Sequence, residues 1–66
     1  MIVSVNGKKR EFPENLTVEN LVEILKLDKD LIAIEINGDI IRKANYKEHI
    51  LKEGDEIEIL TLIGGG

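Results

Sequence analysis

Val18, Leu21, Val22 and Leu25 recur at the spacing of one helix face, with Glu19, Glu23 and Lys26 left for water. No second run of that kind is present. The other apolar stretches of any length alternate as strands do, so the chain has one long helix to lay across a sheet. The opposite face of that sheet then has no element to cover it.

The helix has a readable start. Thr17 is placed to cap it, and Leu16 and Leu21 have the spacing of a hydrophobic staple, although Asn20 stands where a capping box would carry Glu or Gln. The stripe predicts a helix running to about Leu27. Before it, Met1 to Val5 reads as a strand with Met1, Val3 and Val5 on one face, and Asn6-Gly7 is a tight-turn signal returning the chain through Lys8 to Phe12. Pro13 closes that second strand, because it has no N–H to give the ladder.

After the polar break Asp28-Lys29-Asp30, Leu31 to Ile36 resumes as a strand with Ile32, Ile34 and Ile36 on one side. A second pair, Asn37-Gly38, turns it toward the short segment Ile40-Ile41. Ala44 to Leu51, with Tyr46, His49 and Ile50, reads as a short helical turn over one end of the core. Glu53-Gly54-Asp55 is a turn, and Glu56 to Leu62 is the last strand. The fold class is therefore α+β: a mixed sheet of four to five strands packed on one main helix. A right-handed crossover puts the third strand beyond the first, with the last strand between them as a parallel neighbour of the first.

Sixty-six residues make one domain, which has little interior to spare. With no cysteine, neither a disulfide nor a thiolate metal site can staple it, so eleven isoleucines and eight leucines must supply the core. Nine basic against thirteen acidic side chains give a net charge of −4, the wrong sign for a generic phosphate-backbone binder. Nucleic acid is thus not an expected partner, and a basic protein surface is. No targeting segment or membrane-length apolar run is recognisable, which makes the cytoplasm the expected compartment.

Candidate functional residues gather at the end of the chain. If Ile57 and Ile59 face the core, alternation puts Glu58, Leu60 and Leu62 on the uncovered face, immediately before Ile63-Gly64-Gly65-Gly66. Covering both leucines is worth about 3 to 6 kcal/mol of transfer free energy before the cost of association. Residues 1–62 then form the domain and 63–66 a flexible tail, thin enough at Gly64 and Gly65 to thread a narrow channel and ending in the carboxylate of Gly66. Arg42 and Lys43, near the short fourth strand, are candidates for the same partner face.

No catalytic constellation accompanies this. His49 is the only histidine and reads as a surface or capping residue, Glu56 and Glu58 share a strand face without a cleft, and the glycines precede no helix or Gly-Lys-Ser/Thr signature. Lys8, Lys9 and Arg10 lie on an apparent edge strand, where charge discourages edge-to-edge pairing. Any nucleotide chemistry must be done by another protein.

Taken together, Met1, Val3 and Val5, the Asn6-Gly7 hairpin, the helix from Thr17, the Asn37-Gly38 turn, Glu53-Gly54-Asp55-Glu56 with Ile57 and Ile59, and the terminal Gly65-Gly66 resemble the ubiquitin-like β-grasp sulfur carriers. Those of thiamine biosynthesis, the ThiS type, are most similar, and the resemblance runs the full length. It implies a carrier that is not itself an enzyme and binds no cofactor. An adenylating, E1-like activating partner (ThiF) would use ATP and magnesium to convert the Gly66 carboxylate to an acyl adenylate. A cysteine desulfurase system would then supply sulfur, and thiazole synthase (ThiG) would take it from the Gly66 thiocarboxylate into the thiazole of thiamine. Gly64 and Gly65 would give access, and Leu60, Leu62, Ile63 and Arg42 would contact partners. The small subunit of molybdopterin synthase, a non-carrier β-grasp interaction domain and a lysine-conjugated modifier are the alternative readings. Against the last, the usual basic residues before the glycines are replaced here by Leu60-Thr61-Leu62-Ile63.

Overall fold

In the computed structural model, which describes residues 1–62, the chain opens as a hairpin. Strand β1 (Ile2–Val5) returns as β2 (Lys8–Glu11) through Asn6 and Gly7, whose φ values of +51° and +84° are those of a two-residue turn matched to strand twist. Val3 pairs with Arg10 and Val5 with Lys8. Both valines are buried.

Helix α1 (Val18–Ile24) starts at the expected cap. The Thr17 hydroxyl accepts from the Asn20 N–H at 3.1 Å, and the Asn20 side-chain oxygen accepts from the Thr17 N–H at 3.2 Å. Asn20 therefore completes the capping box in place of the expected Glu or Gln, its shorter amide still reaching the cap. The N–H groups of Val18 and Glu19 donate to the carbonyls of His49 and Tyr46, at 2.9 and 3.0 Å. A distant loop thus finishes the capping of the first turn.

The helix ends at Ile24, three residues before the expected Leu27. Lys26 adopts φ +57°, and the N–H groups of Lys26 and Leu27 return to the carbonyls of Glu23 and Val22, each at 3.0 Å. This is a Schellman closure, formed at a lysine where glycine is usual. Its physical reason is the apolar stripe, which stops at Leu25 and leaves nothing further along the axis to bury.

A 3₁₀ turn at Lys29–Leu31, capped by Asp28, leads into β3 (Ile32–Ile36) and, across Asn37-Gly38, β4 (Asp39–Ile41). The helical turn expected over 44–51 contracts to a 3₁₀ turn at Lys43–Asn45. One helical turn follows, with His49 N–H donating to Asn45 C=O at 2.9 Å, before Leu51 N–H donates to Leu16 C=O at 2.8 Å and Ile50 bridges Thr17. Tyr46 and Leu51 still close one end of the core.

The last strand, β5 (Glu56–Thr61), takes the centre of a five-stranded sheet of order β2-β1-β5-β3-β4. It is parallel to β1 (Ser4 opposite Glu56, Val5 opposite Ile57) and antiparallel to β3, from Ile32 opposite Thr61 to Ile36 opposite Ile57. Buried Asp55 secures its start. One carboxylate oxygen accepts the Lys52 N–H at 2.8 Å and the other the Asn37 side-chain amide at 3.0 Å, while the Asn37 oxygen accepts the Glu56 N–H at 2.9 Å. A turn residue of one hairpin thereby fixes the entry of the central strand.

The open sheet face and the root of the tail

Because α1 covers one face, alternation along β5 separates two populations of side chains. Ile57 is 1% exposed and Ile59 is half-buried, whereas Glu58 is exposed, Leu60 is 47% exposed and Leu62 is 59% exposed. The two leucines lie on the open face, as their phase in the sequence requires. Register adds neighbours that sequence reasoning missed. Ala33 is opposite Leu60, Glu35 is opposite Glu58, and Ile40, 69% exposed, is opposite Glu35 on the far side. The signal for Ala33 and Glu35 was present, since both lie out of phase with the buried Ile32, Ile34 and Ile36, whereas Ile40 keeps their even spacing and faces out only because the hairpin register sets it opposite Glu35.

The face is therefore divided. Leu60, Leu62, Ala33 and Ile40 supply apolar surface, and Glu35, Glu56 and Glu58 supply negative charge. Arg42 is exposed directly after β4, at the entry of the 3₁₀ turn. Lys43 beside it makes a 3.5 Å ion pair with Asp30. His49 is half-buried, and the helix is capped by its carbonyl. Ile63, Gly64, Gly65 and Gly66, expected to form the tail, lie outside the described residues.

At the root of that segment, two groups hold β5. Leu62 N–H donates to Leu31 C=O at 2.8 Å on the β3 side. On the β1 side, the Asn6 side-chain oxygen accepts the Ile59 N–H at 2.7 Å, after Asn6 N–H has donated to Ile57 C=O at 2.9 Å. Among the described residues no group of three or more His, Asp or Glu side chains is placed to hold a metal ion, and no helix is long and apolar enough to cross a membrane. What the site offers is a contact surface leading into a glycine-rich end.

The model of the ThiS family matches residues 3–66. The chain belongs to the ThiS family. The match takes in both the open-face leucines and the glycines after them. The sulfur carrier protein ThiS of Bacillus subtilis is 32% identical over 66 residues, covering 98% of this chain and 100% of that one. A thiazole synthase of Paramagnetospirillum magneticum is 38% identical over 66 residues, all of this chain but only 20% of that protein's length. The crystal structure of the thiamine biosynthesis protein ThiS from Geobacter metallireducens superposes with a TM-score of 0.87 at 32% identity, with both chains covered in full. The fold is thus the β-grasp of ThiS-type sulfur carriers. Membership makes the chain a sulfur carrier of the ThiS type.

Proposed function

We propose that the Gly66 carboxylate is the point of sulfur attachment and that the sulfur is destined for the thiazole moiety of thiamine. The observation that carries this reading is the family match through residue 66, which ties the exposed Leu60 and Leu62 to the glycines beyond them. A carboxylate resists nucleophiles because its charge is delocalised and it lacks a good leaving group. Attack of a carboxylate oxygen on the α-phosphorus of ATP, with loss of pyrophosphate, gives an acyl adenylate. A persulfide sulfur of the donor then adds at the acyl carbon and AMP departs, and a thiol reduces the acyl disulfide so formed to a thiocarboxylate. Positioning and charge stabilisation for both steps belong to the activating enzyme, of ThiF type, with its magnesium. A cysteine desulfurase system is the sulfur source in this account, and a ThiG-type thiazole synthase the acceptor.

In this scheme the domain is held through Leu60, Leu62, Ile63 and Arg42 while Gly64 and Gly65 pass through a channel too narrow for side chains. All of it takes place in the cytoplasm. The relative named as a thiazole synthase favours thiamine over molybdopterin as the destination. The test is acceptor choice. A thiocarboxylate installed chemically at Gly66 should be consumed by a thiazole synthase and left intact by the large subunit of molybdopterin synthase. Consumption by the second alone would assign the carrier to the other pathway.

A further inference from the structure

Strand β5 outlasts its neighbour. It pairs with β1 only at Ser4 and Val5, and where the chain turns off at Asn6 the side chain of that residue takes the place of one more β1 residue by accepting the Ile59 N–H. There the ladder on that side stops. The phase of the next residues is fixed from the other side: Leu62 gives its N–H to Leu31, so Leu60 and Leu62 direct their main-chain groups to β3. Thr61, between them, directs its N–H and C=O to the side β1 has vacated.

Beside this free edge, on the helix side of the sheet, lies a groove of about 410 Å³. Leu25, Leu27, Ile32 and Ile59 give it an apolar floor, and Lys8 and Arg10 line it as well. These two basic residues face the helix side because they pair with Val5 and Val3. Arg10 is held at the rim with its guanidinium 5.5 Å from the Phe12 ring centroid. Among the described residues neither has a carboxylate at ion-pair distance, in a chain whose net charge is −4.

We propose that this groove docks an extended segment of a partner protein, which adds to β5 as a strand beyond Asn6. Main-chain groups of the segment pair with Thr61, one apolar side chain sits on Leu25, Leu27 and Ile59, and a carboxylate lies beside Lys8 and Arg10. The unpaired Thr61 groups call for a strand, since strand addition satisfies N–H and C=O together. The basic rim calls for an acidic one. The site is on the opposite face from Leu60 and Leu62, so a protein can grip the root of the tail while the open face is also engaged. It stands or falls independently of the sulfur chemistry.

The test is a titration of the isotope-labelled protein with a blocked peptide, Asp-Val-Ile-Val-Glu, followed by amide shifts and hydrogen exchange. Saturable shifts at Asn6, Ile59 and Thr61 with slower exchange of the Thr61 amide are expected. The double variant Lys8→Glu/Arg10→Glu should bind about tenfold more weakly or worse, and a peptide with lysines for its acidic residues should recover the loss. Thr61→Pro, which removes an N–H that β3 does not use, should weaken binding with the free protein's other amide positions unchanged. Shifts confined to Glu58 and Leu60, affinity indifferent to the charge swap, or no shift at about 1 mM peptide would overturn the proposal. So would self-association detected by sedimentation, which would give the groove to a second copy of the chain.

Discussion

The two faces of β5 differ by one residue of phase and by almost everything else. Ile57 disappears beneath α1 at 1% exposure, while Leu60 and Leu62, on the same strand, remain 47% and 59% exposed. A helix seven residues long can cover one face of five strands and no more. The apolar surface left outside is therefore free for partners, and a small carrier can be both stable and adhesive without mixing the two duties.

Truncating each face in turn is the strongest way to break this contrast. Ile57→Ala should destabilise the domain by about 3 kcal/mol, through lost transfer energy and the cavity left behind. Leu60→Ala should stay within about 0.5 kcal/mol. Urea unfolding measures both, and equal losses would erase the distinction. Asp55→Ala should follow at about 2 kcal/mol, because the Lys52 N–H and the Asn37 amide lose their acceptor in a buried turn. Retention of full stability would remove the Asp55–Asn37 link as the anchor of β5.

The outer face is sharpened by binding rather than by unfolding. Leu60→Asp should weaken association with the activating enzyme by about 1.4 kcal/mol or more, a tenfold change, with the thermal midpoint unmoved. Unfolding of that variant would mean that the faces are reversed. The smallest effect belongs to Tyr46 at the end of the core, where burial raises the phenol above its ordinary pKa of 10.0. A raised folded value means the contribution is complete below the unfolded pKa and is lost as pH climbs through the folded one. Stability should therefore fall above about pH 10, and Tyr46→Phe should lessen that fall.

Much of this division could be read from the residues. Period-two alternation in β3 and β5 gave both faces, one helical stripe gave the single covering layer, and two Asn-Gly pairs gave the hairpins. What escaped was contact across long stretches of chain. Asn6 and Asn37 were legible as turn residues, but not as side chains reaching Ile59 and Asp55, 53 and 18 residues away. The early end of α1 escaped because Lys26 takes a left-handed conformation without the glycine that would announce it. The turn from Asn45 to His49 grows no longer because the carbonyls of Tyr46 and His49 accept from Glu19 and Val18 and the Leu51 N–H goes to Leu16.

We propose that the domain is a handle and that the reacting group is the carboxylate of Gly66. Intact-mass spectrometry after incubation with an active cognate activating enzyme, ATP, magnesium and a sulfur source tests it directly. The protein ending at Gly66 should gain the mass difference between sulfur and oxygen, localised to the last glycine by fragmentation, and a variant lacking Gly66 should not. An unchanged mass, or a sulfur atom found elsewhere in the chain, would contradict it.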